Sequence, residues 1–189
     1  MNYIVRKASE SDNIDIARTI SYSFEKVLSV LTKDMERMAK VFENGLDIER
    51  FYVAQQGDKI IGIVACGDSE GRAVKTTKEE CKRHLGPIRG LIAFRLISSE
   101  LMRPHSYPAA TGYIDILGVL EQARGKGVAK ELLKAIVENN SKYTEFILDV
   151  DSINASAIKT YTDFGFVEYR RVPVVKFSKR SRVFMRYIV

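Results

Sequence analysis

The sequence predicts a single α/β domain built on a mixed sheet. The chain has 189 residues, which suits one domain. Short apolar or alternating runs that read as strands are interspersed with segments whose apolar residues recur at helical spacing. No internal repeat, low-complexity tract or linker divides the chain, so one layered core accounts for the pattern.

Tyr3–Lys7 alternates and reads as a strand. Ser9-Glu10-Ser11-Asp12 carries turn and helix-cap chemistry, and Ile14, Ile16, Ala17, Ile20 and Phe24 then follow a helical period. A second amphipathic segment runs from about Thr32 to Phe42, presents Met35, Met38, Ala39 and Phe42, and stops at Asn44-Gly45. Phe51–Ala54 and Ile60–Cys66 read as strands joined by the turn Gln56-Gly57-Asp58-Lys59. Gly67 to Lys78 is polar and reads as a loop. Glu79 to Leu101 reads as one or two helices, interrupted near Gly86-Pro87 and Gly90. Pro104 and Pro108 bracket a connection. His84 is expected to pack, whereas His105 and Tyr107 fit either loop packing or a substrate-facing wall. Tyr113–Leu120 is the clearest strand to that point. Val128–Asn139 is an amphipathic helix with Val128, Leu132, Leu133, Ile136 and Val137 inward. Phe146–Val150 is a further strand, and Asn154–Asp163 a helix ended by Gly165. Phe166–Val174 and Val183–Val189 complete the strands.

Hydrophobic residues make up 46% of the chain and charged residues 29%, a balance that supports a core and excludes a disordered profile. No apolar run approaches a membrane span or a signal peptide, so a cytoplasmic protein is expected. Cys66 and Cys81 form no disulfide pattern, which fits a reduced compartment. Cys81 and His84 share a helix face but cannot close a zinc site, so no metal is expected. The net charge of +6 fits solubility alone, or a polyanionic ligand, either nucleic acid or a phosphorylated cofactor.

Gly125 and Gly127 sit between the Tyr113–Leu120 strand and the Val128 helix. Glycines there permit positive-φ turns and close approach of an anion to the main chain. The helix N-terminus adds unpaired N–H groups and partial positive charge, and Arg124, Lys126 and Lys130 add formal charge. The dinucleotide fingerprint and the Walker loop both fit badly, lacking a third glycine and a Gly-Lys-Ser/Thr. From these residues alone, phosphate binding and simple helix–strand packing both stand. Likewise Asn154, Ala157, Ile158 and Tyr161 fall on one helix face, which reads equally as an N-cap, two core residues and a half-buried phenol.

Gln122-x-x-Gly125-x-Gly127 resembles the Gln/Arg-x-x-Gly-x-Gly/Ala signature of the GCN5-related N-acetyltransferases. Asn154–Phe166 is similar to that family's Asn-x-x-Ala-x-x-x-Tyr-x-x-x-Gly-Phe pattern at every fixed position. Glu121 departs from the proline common there. The resemblance implies a GNAT-like fold, a mixed, mostly antiparallel twisted sheet of about seven strands flanked by helices. It divides one domain, 1–189, into N-terminal strands and substrate-side helices (1–66), a variable segment (67–112), an acyl-CoA-binding core (113–166) and a C-terminal hairpin (167–189).

The implied activity is acetyl transfer from acetyl-CoA to a primary amine of a small molecule or peptide, by direct attack in a ternary complex. The turn at Gln122 would hold the coenzyme A pyrophosphate through the amides of Arg124, Gly125, Lys126, Gly127, Val128 and Ala129. Val119 would pair with the pantetheine arm, the Leu117 amide would polarise the thioester carbonyl, and Asn154 would hydrogen-bond the pantetheine. Tyr161 would protonate or stabilise the leaving thiolate, a task that suits a phenol because it donates without adding charge.

The amine must lose a proton, and a carboxylate is the usual acceptor. Asp149 and Asp115 interrupt apolar strands where an unpaired carboxylate is costly; Asp151 or solvent are alternatives, and a salt bridge is the structural reading of each. The substrate would lie near Ser23, Phe24 and Glu25, the 67–110 segment and the last hairpin. The basic stretch 176–182 fits a solvated turn or an acidic partner. Two rivals remain: a coenzyme A-binding sensor without transferase activity, and a nucleic-acid (tRNA)-directed module, disfavoured because no aromatic residues interleave with basic ones on a strand. No membrane partner is expected, and a homodimer is left open.

Overall fold

The computed structural model describes residues 2–175 and 179–189. Seven strands form: β1 (Ile4–Lys7), β2 (Phe51–Gln56), β3 (Lys59–Gly67), β4 (Thr111–Val119), β5 (Glu145–Asp151), β6 (Val167–Pro173) and β7 (Ser181–Ile188). They build one sheet in the order β1-β2-β3-β4-β5-β7-β6. Every neighbouring pair is antiparallel except β4 and β5. The helices are α1 (Asn13–Ser23), α2 (Glu25–Leu28), α3 (Met35–Glu43), α4 (Lys78–Leu85), α5 (Pro87–Ile97), α6 (Val128–Glu138) and α7 (Ala155–Phe164). A π-helical turn, Ser98–Met102, extends α5.

Because successive strand residues point to opposite faces, the sheet buries two cores. On one face Phe51, Val53, Ile63 and Ile116 pack against Ile16, Ile20, Met38 and Phe42 of α1 and α3 and against Cys81 and Ala93 of α4 and α5. On the other, Val64, Phe146, Leu148 and Val183 pack against Val128, Leu132, Leu133 and Ile136 of α6 and Tyr161 of α7. The apolar positions expected on the Val128 helix are thus the buried ones, Val137 only partly.

Local chemistry sets the helix ends. The α3 helix begins at Met35 rather than near Thr32. The Thr32 hydroxyl accepts the Asp34 N–H at 3.1 Å, and the Asp34 carboxylate accepts the Arg37 N–H at 3.0 Å, so Asp34 is the N-cap. Gly86-Pro87 separates α4 from α5 as expected, but Gly90 does not interrupt α5. It marks a close helix crossing, since a Cβ there would stand 2.5 Å from the Cys81 carbonyl oxygen.

The polar run 67–78 is a loop, but not a solvated one. Asp68, Arg72 and Thr76 are buried together with Ala73 and Val74. Asp68 accepts the Tyr143 hydroxyl at 2.6 Å and Lys142 Nζ at 3.1 Å, while the Thr76 hydroxyl donates to the Val41 carbonyl at 2.5 Å. These satisfied bonds offset the desolvation of the polar groups. Among the described residues no helix is long and apolar enough to cross a membrane.

Candidate active site

The parallel neighbours β4 and β5 stay paired only where Thr111–Tyr113 meets Glu145–Ile147. Beyond Tyr113 no ladder joins them, and a wedge opens in the sheet. β4 nevertheless stays bonded to β3 up to its end. In an antiparallel ladder, alternate residues turn their main-chain groups towards a given neighbour. The Leu120 N–H bonds to the Ile61 carbonyl at 3.0 Å, so Gly118 and Ile116 also face β3. The main-chain groups of Leu117 and Val119 therefore face the wedge. Consistent with this, the Val119 carbonyl accepts Arg124 Nε at 3.0 Å. The register shift between Ala65 and Cys66 leaves Asp115 as the extra residue of a bulge.

Above the wedge, Glu121–Ala123 forms a 3-10 turn, and Gly125 and Gly127 adopt φ of 71° and 81°. This is the left-handed region that favours glycine. A Cβ on Gly125 would meet nothing within 4 Å, and one on Gly127 only the Tyr3 hydroxyl, at 3.9 Å. The turn thus presents bare backbone to open space, and Gly127 is the N-cap of α6, whose first N–H groups have no intrahelical acceptor. The amides of Gly125 to Ala129 therefore suit a pyrophosphate. Lys126 Nζ lies 2.6 Å from the Gln122 carbonyl, and Arg124 Nη2 lies 3.2 Å from the Ser23 carbonyl.

On the β5 side, the Asn154 side chain caps α7, its Oδ1 accepting the Ala157 N–H at 3.2 Å. Tyr161 is 8% exposed and stands edge-on to Phe166, with ring centroids 5.9 Å apart. Burial, and then the negative charge of Asp149, push its phenol above the usual tyrosine range, so it is neutral and retains its proton. Asp149 accepts the Tyr113 hydroxyl and lies 3.0 Å from Arg182 Nη1. Arg182 Nη2 reaches Glu100 at 2.6 Å.

Asp115 is held in a buried ion pair. Its side chain is 2% exposed and pairs with Arg72 Nε at 2.6 Å. It also accepts the Ala73 N–H at 2.8 Å, and His105 Nε2 lies 3.2 Å away. The bulge turns this carboxylate into the 67–74 loop, where both oxygens are engaged, the salt-bridge arrangement that an acid within an apolar strand favours. Asp151 is paired with Arg180. His105 stacks on Tyr113 at 3.7 Å, and the Tyr107 and Tyr169 hydroxyls are 3.5 Å apart, so this segment packs against β4 and β6. Within the basic stretch, residues 176–178 lie outside the described residues, while Arg180 and Arg182 are ion-paired.

Tyr113, Arg182 and Arg72 hold the site's carboxylates and were not singled out from the sequence. Their partners lie on other strands or loops, 36 residues away for Tyr113 and 43 for Arg72. Among the described residues no group of three or more His, Cys, Asp or Glu could hold a metal ion.

The fold is shared with known proteins. The chain belongs to the acetyltransferase (GNAT) family, whose profile matches residues 21–166. The crystal structure of an N-acetyltransferase from Staphylococcus aureus Mu50 is similar, with a TM-score of 0.66 over 97% of this chain and 100% of its own, at 18% identity. A putative acetyltransferase from Salmonella typhimurium, solved with its cofactor acetyl-CoA, gives 0.62 over 98% of this chain and 93% of its own, at 16% identity. Among curated proteins, N-alpha-acetyltransferase 30 of Saccharomyces cerevisiae is 30% identical over 73 residues, 38% of this chain and 42% of that protein. The chain thus spans less than half the length of that curated relative. The mixed, mostly antiparallel seven-stranded sheet expected from the sequence is the one observed.

Proposed function

We propose that the chain is an acetyl-CoA-dependent N-acetyltransferase acting on a primary amine of a small molecule or peptide, by direct attack in a ternary complex. One observation carries this reading: β4 and β5 part after Tyr113, which turns the main chain of Leu117 and Val119 towards the gap, with Asp149 on the β5 side and an open glycine turn following β4. The curated relative's name, an N-alpha-acetyltransferase, makes a peptide N-terminus one natural acceptor.

Bound acetyl-CoA would supply the activated acetyl group. The amides of Arg124, Gly125, Lys126, Gly127, Val128 and Ala129, with Gln122 in the same turn, would hold its pyrophosphate. Val119 would pair with the pantetheine, and Asn154 would offer its free Nδ2. The Leu117 N–H would donate to the thioester oxygen, where negative charge grows during attack. Asp149 would take the proton from the amine, directly or through water. Its contacts with Arg182 and the Tyr113 hydroxyl hold it in place. Tyr161 Oη would donate its proton to the departing sulfur.

The test is coenzyme A thiol release from acetyl-CoA, followed with polyamines, amino acids, aminoglycosides and peptides bearing free N-termini. Release above the amine-free rate with one class supports the reading. Tight coenzyme A binding with no release on any amine would instead favour a coenzyme A sensor.

A further inference from the structure

Arg124 belongs to the donor turn, yet its side chain reaches the other side of the site. The guanidinium forks between two carbonyls: Nε donates to Val119 at 3.0 Å, and Nη2 to Ser23 at 3.2 Å. Ser23 is the last residue of α1, and α2 starts at Glu25. The turn between them rests on β4. A Cβ at Gly118 would stand 3.1 Å from Ser23 Oγ and 3.4 Å from the Phe24 ring. Ser23 Oγ is itself buried without a hydrogen-bond partner among the described residues. A polar atom in that state is costly, which marks the turn as incompletely settled in this arrangement.

Both bonds of Arg124 conflict with an occupied donor site. The Val119 carbonyl faces the wedge, where the pantetheine arm would need it. A guanidinium beside a phosphate gains charge-assisted bonds roughly twice as strong as those to neutral carbonyls. Cofactor binding would therefore draw Arg124 off Val119 and Ser23 together. Losing a cation from the C-terminal carbonyls of α1 removes a favourable end contact and frees the α1–α2 turn to repack.

We infer that Arg124 is a positioning residue that couples the two halves of the site: it holds the α1–α2 turn while the donor turn is empty and releases it when coenzyme A binds. The acceptor side would then complete itself after the donor is seated, giving an order to binding. By linkage, an acceptor that prefers the released turn tightens coenzyme A by the same factor. The inference rests on the proposed donor site at residues 124–129.

Hydrogen–deuterium exchange with coenzyme A itself separates the two ideas. In the unsubstituted protein, coenzyme A should protect residues 125–129 and speed exchange over 24–29 by about fivefold, the scale of one lost hydrogen bond. Simple ligand protection would slow that segment instead. In Arg124→Gln the free protein should already exchange rapidly there, and coenzyme A should add nothing. Arg124 is exposed, so this substitution should leave thermal stability nearly unchanged, and Arg124→Lys, reaching one carbonyl rather than two, should fall between. If calorimetry detects no coenzyme A binding, the donor-site reading fails and takes this inference with it. If coenzyme A binds and protects 125–129 while exchange over 24–29 is unchanged or slower, the coupling alone is refuted. Wild-type exchange over 24–29 in free Arg124→Gln would refute it too.

Discussion

Replacing Asp115 and Asp149 separately should divide stability from catalysis. Asp115 is 2% exposed and its partner Arg72 7%. Asp115→Ala leaves a buried guanidinium without its carboxylate. The typical cost of breaking such a pair from one side is about 3–5 kcal/mol. Arg72 keeps the Arg103 carbonyl at 2.8 Å and the Glu100 carbonyl at 3.3 Å, which places the effect at the lower end. For a domain of this size each kcal/mol shifts Tm by roughly 2–4 °C, so a fall of about 6–12 °C is expected. Asp149 is different. Its side chain is 21% exposed and its contacts are with Arg182, itself 42% exposed, and the Tyr113 hydroxyl. Asp149→Asn keeps an acceptor for both, so Tm should move by only ~2 °C, while turnover with the best amine should fall ~10²- to 10⁴-fold, the usual worth of a positioned base. Thermal unfolding and thiol release on both variants provide the comparison. If Asp115→Ala retains its Tm but loses turnover while Asp149→Asn is fully active, the assignment of the base is wrong.

The other predictions are briefer. Gly125→Val introduces a β-branched side chain at φ 71°, where a Cβ would meet nothing within 4 Å. It should cost ~1–2 kcal/mol of strain yet weaken coenzyme A binding by roughly 30-fold or more, because the Cβ enters the space in front of the turn; calorimetry and thermal unfolding separate these. Burial pushes the Cys66 thiol up to about 12 and raises Cys81 as well. The reactive thiolate forms only as pH rises through that raised pKa, so at pH 8 about one Cys66 in ten thousand is ionised. A disulfide reagent should therefore titrate no thiol in the native protein and both in denaturant; a fast native phase would contradict their burial.

Much of the fold was legible because it is written locally. The strands at 51–66 and 111–119 carry alternating or continuous apolar runs around turn residues, and Gly165, with φ 119°, ends α7 where a left-handed residue is required. The glycine turn and the Tyr161 face were legible as motifs. What escaped depends on contacts distant in sequence. Residues 67–78 look solvated because they are polar, but Asp68 finds Tyr143 at a separation of 75 residues and Thr76 finds Val41 at 35. Asp115 and Asp149 are equivalent in sequence, each an acid within an apolar strand. Only the bulge after Ile114 and the loss of β4–β5 pairing after Tyr113 send one into a buried ion pair and the other to the wedge. Neither event has a sequence signature in the residues themselves.

The proposed role of Tyr161 as proton donor to the departing sulfur is tested by Tyr161→Phe. The substitution removes one oxygen from a buried ring, so coenzyme A affinity and Tm should stay close to wild type. Single-turnover thiol release should fall by about 10²-fold, the scale of a lost positioned acid. Because burial and Asp149 raise the Tyr161 pKa, its donor form persists as pH rises, and wild-type activity should show no Tyr161-dependent loss up to about pH 10. Wild-type turnover in Tyr161→Phe with the best amine would contradict the account.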